Sequence, residues 1–175
     1  RASGVAGGAR GREAAARALL LPLLAQARTL DGADSFETVD VTWQLVDVAS
    51  RMGDSGNGVP LLGQMRASCA KLVPETHWIF GQVHRYGAAF ARMQDDLAAA
   101  EREQREAVKI FEAAGMSGDT IAIARAELAG IRAQRGDKAE ARKLLAQAVP
   151  VLGDTLLPAE ISRVAAEALQ RELGM

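Results

Sequence analysis

Residues 120–149 read TIAIARAELAGIRAQRGDKAEARKLLAQAV, and this stretch decides the fold. Apolar residues recur in it at i, i+3, i+4 and i+7, first at Ile121, Ala124, Leu128 and Ile131, then at Ala141, Leu144, Leu145 and Ala148. That spacing gathers apolar side chains on one face of a helix. The stretch therefore predicts two amphipathic helices, over 120–135 and 138–149, joined by a short turn.

The ends of these two helices carry recognisable signals. Asp119 precedes the first helix, and its carboxylate can accept hydrogen bonds from the unpaired N–H groups of the opening turn. Gly136 can adopt the left-handed conformation that commonly ends a helix. We therefore expect Asp119 to cap this helix and Gly136 to terminate it.

A similar turn occurs three times along the chain. The quartets RMGD at 51–54, RMQD at 92–95 and QRGD at 134–137 are spaced by 41 and 42 residues. Each quartet closes one periodic segment and opens another, which predicts three helical hairpins, called repeats 1 to 3 below. The predicted helices are 36–52 with 59–72, 75–93 with 97–114, and 120–135 with 138–149. A helix over 13–29 precedes them, and one over 157–173 follows, with Pro158 in its first turn and Gly174 at its end.

The composition agrees with an all-α fold of about eight helices. Aromatic residues make up only 4% of the chain, and its most frequent helix-forming residues are Ala, Leu, Arg and Glu. These are good helix formers, so we expect almost no strand. Residues 1–12 are Gly-rich and predict a flexible linker or tail, which leaves 13–175 as the helical repeat domain. Because the first residue is not Met, we expect a fragment of a longer protein.

Charge and cysteine content narrow the classes of function. The formal net charge of −1 gives the chain no electrostatic reason to bind nucleic acid or an anionic membrane. No apolar run approaches the roughly 18 residues of a membrane-spanning helix. Cys69 is the only cysteine, so an internal disulfide is excluded. A reducing cytoplasm is compatible with this, and we expect Cys69 to be a buried small hydrophobe.

Repeat 3 resembles the tetratricopeptide repeat (TPR). The resemblance is carried by Leu128-Ala129, by the turn Gly136-Asp137 with Lys138-Ala139-Glu140-Ala141, and by Leu145 and Ala148. Repeat 2 has the matching small residues Ala88 and Ala107, with Asp95 in place of the turn glycine, whereas repeat 1 has Val46 at the first small position. Small side chains let helices approach to about 8–10 Å. The repeat length is similar to the forty-two-residue TPR variant of kinesin light chains and bacterial regulatory proteins.

The resemblance implies a solenoid of helical hairpins that binds a protein or peptide segment in a concave groove and catalyses nothing. In that family the first helix of each hairpin lines the groove. The inner positions carried over are Asp40, Trp43, Asp47 and Ser50 in repeat 1, Gln82, Arg85, Ala89 and Arg92 in repeat 2, and Ile123, Ala126, Gly130 and Ala133 in repeat 3. The four side chains of repeat 3 offer a partner few contacts. We therefore expect the binding site between repeats 1 and 2, with Asp40, Trp43, Asp47, Gln82, Arg85 and Arg92.

Two interpretations of these residues stay open, namely contact with a partner or contacts within the chain. Trp43 can anchor a partner, since Trp and Arg are enriched at binding hot spots, or it can fill a gap between helices. Arg85 and Arg92 lie seven residues apart on one helix face and can clamp a carboxylate or phosphate. Alternatively, they pair with Asp40 and Asp47 across the groove.

Neither a metal site, a cofactor nor a catalytic centre is predicted. His77 and His84 are too far apart for the i, i+4 chelate on one helix, and HExxH and CxxC motifs are absent from the sequence. Trp78 is expected to fill a space between helices. Two histidines without a clustered nucleophile do not make an enzyme site.

Three further hypotheses follow from the sequence. The chain can be the regulatory domain of a larger kinase or transcription regulator, contacting its own neighbouring domain. It can also be a small-molecule sensor with a pocket between Trp43 and Trp78. Finally, a C-terminal helix that exposes Leu156, Leu157 and Ile161 can form a homodimer, because stacked repeats need a polar end cap and this end is apolar.

Overall fold

The computed structural model describes residues 3–116 and 118–175, with side chains from residue 11 onward. Within that part of the chain it contains eight α-helices and no strand, which confirms the all-α prediction. They are α1 (Ser3–Leu30), α2 (Phe36–Met52), α3 (Ser55–Leu72), α4 (Trp78–Met93), α5 (Leu97–Ala113), α6 (Asp119–Gln134), α7 (Lys138–Thr155) and α8 (Ile161–Glu172). None of these helices is both long enough and apolar enough to cross a membrane.

The helices form two compact units. The N-terminal unit, Arg1–Glu75, contains α1 to α3, and the C-terminal unit, Thr76–Met175, contains α4 to α8. The proposed division into a linker over 1–12 and a repeat domain over 13–175 stays a prediction. Residues 1 and 2 of that linker lie outside the described part, and α1 begins at Ser3, ahead of the predicted start at Glu13.

The lengths of the connections define the hairpins. Two residues join α2 to α3, and three residues join α4 to α5 and α6 to α7. By contrast, five residues separate α1 from α2, α3 from α4, α5 from α6 and α7 from α8. The hairpins are therefore α2/α3, α4/α5 and α6/α7, as predicted. We call the first helix of a hairpin its A helix and the second its B helix. Because a five-residue connection follows α1 and another precedes α8, α1 corresponds to a B helix and α8 to an A helix.

Each tight turn is built in the same way. An aspartate caps the B helix by accepting a backbone N–H three residues further on, at 3.1 Å for Asp54, 2.8 Å for Asp96 and 3.2 Å for Asp137. The preceding residue has a left-handed φ of 70° at Gly53, 59° at Asp95 and 90° at Gly136. Asp tolerates this conformation better than most residues, which explains its place at 95. The capping aspartates are spaced by 42 and then 41 residues, which gives the length of the repeat.

Small side chains lie where the helices cross. Ala88, on α4, packs with Ala100 of α5 in one buried cluster. Ala129, Ala141 and Ala148 are fully buried in a second cluster formed by α6, α7 and α8. The predicted close contacts at these alanines are confirmed.

A buried carboxylate joins repeat 2 to repeat 3. Glu101 of α5 pairs with Arg132 of α6 at 2.9 Å, with Arg105 at 3.0 Å and also with Arg135. A buried charge is tolerated only where opposite charges compensate the loss of water. Three arginines supply that compensation here.

In the N-terminal unit, α3 contacts the segment between α1 and α2. Asp34 accepts hydrogen bonds from the Lys71 ammonium at 2.7 Å and the Ser68 hydroxyl at 3.0 Å, and these bonds lower its pKa. Cys69 is buried, as predicted, and burial raises the pKa of its thiol.

Three predicted helix starts in the hairpins were wrong. Helix α4 begins at Trp78 and not at residue 75, because His77 caps it. Helix α3 begins at Ser55 and not at residue 59, because Asp54 caps it ahead of the glycines. In α6, Gly118 is the capping residue and Asp119 is the first helical residue, without a capping hydrogen bond. The Asp119 carboxylate still lies near the positive end of the helix dipole.

Two features near the C-terminus also differ from the prediction. Helix α7 continues beyond 149 through the exposed Pro150 to Thr155, held by the fully buried Leu152. Helix α8 therefore begins at Ile161, so Pro158 lies in the linker and not in the first turn. Leu156 is half-buried against the α6–α7 core, whereas Leu157 is exposed as expected.

Candidate functional site

A cavity of about 520 Å³ lies in the C-terminal unit, on the faces of its A helices. Most of its lining comes from α6 and α8, and we call it the α6–α8 groove. Its apolar lining consists of Ile123, Ala126, Gly130 and Ala133 of α6 and of Ile161, Ala165, Ala166, Leu169 and Leu173. The four α6 residues are the inner-surface positions predicted for repeat 3.

The space in the groove exists because α6 presents small side chains to it. Of the apolar residues that α6 contributes to the lining, only Ile123 is large. A Cβ atom on Gly130 would lie 3.9 Å from Cδ2 of Leu169, which is an ordinary contact distance between α6 and α8. A volume of this size lies within the range of about 300–1,000 Å³ that is typical of ligand sites. Small residues therefore make room for a ligand, although the sequence suggested that they would offer a partner few contacts.

One end of the groove is charged. Arg92 of α4, Lys138 at the start of α7 and Glu172 of α8 line it, together with Gln134. Arg92 and Lys138 are exposed, and neither side chain has a hydrogen bond or ion pair within the described residues. Two cations are thus available to an anionic group at this end.

The groove continues beyond Arg92. Arg92 and Gln134 also line a neighbouring cavity of about 580 Å³, whose other residues are Ala89, Met93, Asp95 and Leu97. The two cavities meet at Arg92 and Gln134, so Arg92 lies between them. An extended segment can therefore run from α8 across the end of α6 to the turn between α4 and α5.

Arg85 holds α4 and α6 together. Its guanidinium contacts the Glu127 carboxylate with both branches, Nε to Oε2 at 2.7 Å and Nη2 to Oε1 at 2.8 Å. The buried Gln104 amide also donates to Glu127 Oε2, at 3.0 Å, and to the Ala124 carbonyl, at 2.9 Å. Such two-branched contacts are strong and directional. Arg85 therefore positions Glu127, which lines the groove.

Sequence reasoning missed Glu127. The signal was present, because Glu127 follows Arg85 by 42 residues, one repeat length, and so lies on the next A helix. Arg85 was expected either to bind a partner or to pair with Asp40 and Asp47. Its guanidinium contacts Glu127, and the alternative pairing with Asp40 and Asp47 stays a prediction.

The remaining predicted site residues lie on two helices, α2 and α4, one in each unit. Asp40, Trp43 and Asp47 lie on α2 in the N-terminal unit, where Asp40 accepts from Gln44 at 2.9 Å and Asp47 pairs with Arg51 at 2.8 Å. Trp43 is half-buried. Gln82, Arg85 and Arg92 lie on α4 in the C-terminal unit, where Gln82 accepts from Arg85 at 3.3 Å. Their joint role in one site stays a prediction.

His77, His84 and Trp78 take part in helix capping and in contacts between helices. His77 caps α4, its Nδ1 accepting the Ile79 N–H at 3.3 Å, and Nδ1 of His84 lies 2.8 Å from a Glu103 oxygen of α5. Trp78 packs against the Phe111 cluster between helices, as predicted. Over the described residues, no three His, Cys, Asp or Glu side chains converge as metal ligands.

No protein-family model matches this sequence, and no curated protein does. Two solved structures share its fold: a Podosopora anserina protein described as a kinesin light chain with nearly identical TPR-like repeats, and a variant of it. They are 21% identical to this chain, cover 93% of it with 78% and 77% of their own lengths, and give TM-scores of 0.69 and 0.70. The chain therefore has a TPR-like fold, as the sequence predicted.

Proposed function

We propose that this chain is a non-catalytic protein-interaction module that binds an extended or helical segment of a partner protein in the α6–α8 groove. One observation carries the proposal: the A helices of the C-terminal unit leave open a 520 Å³ groove with an apolar floor and two available cations at one end. A closed core would have filled this space. The TPR-like fold supports the same reading.

The chemistry of the groove indicates what the segment carries. The apolar floor around Gly130 and Leu169 favours an aliphatic or aromatic side chain, whose burial contributes about 1.5–3 kcal/mol. The cations of Arg92 and Lys138 favour a carboxylate close to that side chain, because charge complementarity guides binding and fixes register. The partner segment is therefore apolar with a neighbouring acidic group.

The residues predicted from the sequence take different parts in this proposal. Arg92 contacts the bound segment, whereas Arg85 acts indirectly by holding Glu127 in the groove wall. Asp40, Trp43 and Asp47 on α2 are proposed to contact a further part of the partner. The replacement Trp43→Ala tests that contact, and unchanged affinity would remove α2 from the interface.

The experiment is a selection of displayed random peptides on the immobilised chain, followed by calorimetric titration of the strongest binder. The variant Gly130→Phe places a ring in the groove, and we expect it to weaken binding at least tenfold, or about 1.4 kcal/mol. Gly63→Phe is the matched control, because Gly63 lies inside α3 and a Cβ atom there would meet no atom within 4 Å. The control should bind like the wild type.

The result for Gly130→Phe decides the location of the site. Affinity equal to that of the Gly63→Phe control would show that peptides bind elsewhere. The double replacement of Arg92 and Lys138 by Glu tests the acidic preference, and selected peptides should then lose their acidic residues. If no peptide binds but small metabolites raise the melting temperature of the wild type and not of Gly130→Phe, the groove belongs to a small-molecule sensor.

A further inference from the structure

A further cavity, of about 190 Å³, lies in the N-terminal unit, where α1, α2 and the first half of α3 meet. We call it the α1–α3 pocket. Its apolar lining comes from all three helices and consists of Leu21, Leu45, Ala49, Pro60 and Leu61. Its polar lining consists of Arg17, Asp54 and Asn57. None of these residues lines the α6–α8 groove, so the pocket is a separate feature.

The apolar part of the pocket suits an aliphatic side chain. Leu45 and Ala49 of α2 are buried, whereas Leu21 and Pro60 are exposed, so the pocket has a buried floor and an open rim. An apolar cavity of about 150 Å³ holds a molecule of the size of benzene. The α1–α3 pocket therefore has room for a side chain of the size of leucine.

Arg17 brings available N–H donors to this pocket. Its Nη1 lies 3.5 Å from Oδ2 of Asp54, which is longer than the roughly 2.7–3.2 Å of an ordinary N–H···O bond. Among residues 11–116 and 118–175, the Arg17 side chain has no other hydrogen bond or ion pair. A guanidinium can donate two parallel hydrogen bonds to one carboxylate. Arg17 can therefore bind the carboxylate of a ligand.

Asp54 holds a negative charge beside Arg17. The Asn57 side-chain amide donates to Oδ2 at 2.7 Å and the Asn57 backbone N–H donates to Oδ1 at 3.1 Å, and these bonds lower the pKa of Asp54. The carboxylate is therefore ionised at neutral pH, so one cation and one anion lie together at the pocket. A ligand that carries only a carboxylate would be attracted by Arg17 but repelled by Asp54, whereas a zwitterion complements both charges.

We propose that the α1–α3 pocket binds a free aliphatic α-amino acid of about the size of leucine. The ligand carboxylate pairs with Arg17, its ammonium pairs with Asp54, and its side chain lies on Leu45 and Ala49. A few convergent polar groups beside an apolar surface fix the orientation of a small ligand in this way. A terminal residue of a peptide retains only one of the two charges, so it complements only half of the site.

The test is calorimetric titration of the full chain with L-leucine and with analogues that each lack one feature. Leucinamide lacks the carboxylate, as does the N-terminal residue of a peptide. N-acetylleucine lacks the ammonium, as does a C-terminal residue, and glycine lacks the side chain. We expect leucine to bind in the millimolar range or more tightly. Each analogue should bind about tenfold more weakly, because hydrogen bonds to charged groups and the burial of an aliphatic side chain each contribute at least that factor.

Charge variants of the pocket should reverse this preference. Asp54→Asn keeps a good helix cap but removes the negative charge, so it should bind N-acetylleucine at least as tightly as leucine. Arg17→Gln should bind leucinamide at least as tightly as leucine. A loss of folding would weaken all ligands alike and cannot reverse their order. Arg28→Gln is the matched control, because Arg28 also joins α1 to α3, at 2.7 Å from Gln64, but does not line the pocket.

The outcomes separate this site from the alternatives. A wild type that binds no leucine at millimolar concentration would overturn the proposal, and so would equal affinity for leucine and leucinamide, which would indicate a peptide N-terminus as the ligand. The variant Gly130→Phe, which fills the other cavity, should bind leucine like the wild type. Loss of leucine binding in that variant would place the amino acid in the α6–α8 groove and refute the assignment to α1–α3.

Discussion

Two glycines in A helices of the C-terminal unit should respond in opposite ways to the same substitution. Gly130→Ala adds a methyl group that lies 3.9 Å from Leu169, an ordinary contact. Gly81→Ala adds one that would lie 2.5 Å from Cε1 and 2.7 Å from Cδ1 of Phe111. Carbon atoms prefer separations of about 3.5–4.0 Å, so the Phe111 ring would have to move by about 1 Å.

The magnitudes follow from two opposing terms. Ala is favoured over Gly inside a helix by about 0.8–1 kcal/mol, and this term is common to both variants. At Gly81 it is opposed by overpacking, which typically costs about 1–3 kcal/mol, because the added methyl group would meet the ring of the fully buried Phe111. We therefore expect Gly130→Ala to be more stable than the wild type by about 0.5–1 kcal/mol. Gly81→Ala should be less stable than Gly130→Ala by about 1–3 kcal/mol.

The assay is urea unfolding of the full chain, followed by circular dichroism. Comparing the two variants cancels the helix-propensity term and leaves the contact with Phe111. Adding Phe111→Leu to Gly81→Ala should recover part of the loss, in a double-mutant cycle. Equal stability of Gly81→Ala and Gly130→Ala would show that α4 and α5 do not approach closely here, and would refute the register of repeat 2.

Three further predictions concern other contacts. A double-mutant cycle on Arg85→Ala and Glu127→Ala should give a coupling of about 1 kcal/mol, because the pair is two-branched but partly exposed to solvent; a coupling near zero would contradict its positioning role. The pKa of Asp34 is lowered below 3.8 in the folded chain, so its carboxylate stabilises the fold above that pH and loses this effect as pH falls through the folded value. The stability gap between wild type and Asp34→Asn should therefore shrink from about pH 6 to about pH 3, and a gap that widens on acidification would contradict the Lys71 contact. Cys69 should react slowly with a thiol reagent in the folded chain and rapidly in urea, because its thiol is buried and its pKa raised; equal rates would place it at the surface.

Local signals predicted most of the fold. The turns at Gly53 and Gly136 combine a left-handed residue with a capping aspartate, so they fix helix ends without knowledge of tertiary contacts. The start of α3 was missed because Gly56 and Gly58 read as a loop. Their helical state depends on the Asp54 cap and on packing that buries Gly58, neither of which a propensity scale includes.

The site was less predictable, because it depends on which A helices lie side by side. The sequence placed Ile123, Ala126, Gly130 and Ala133 on the inner surface, and all four line the groove. The sequence did not indicate that α8 forms the opposite wall of the groove, because its pattern is that of a terminal helix. Without that wall, small residues look like a featureless surface and not like the floor of a cavity.

Hydrogen exchange of the chain with and without a selected peptide tests the proposed groove most directly, because it requires no substitution. Binding in the α6–α8 groove should slow exchange in residues 119–134 and 161–172, and around Arg92 at the end of α4. Exchange over the middle of α7, whose residues do not line the groove, should not change. Slowed exchange confined to α5 and α7, or to the N-terminal unit, would contradict the account.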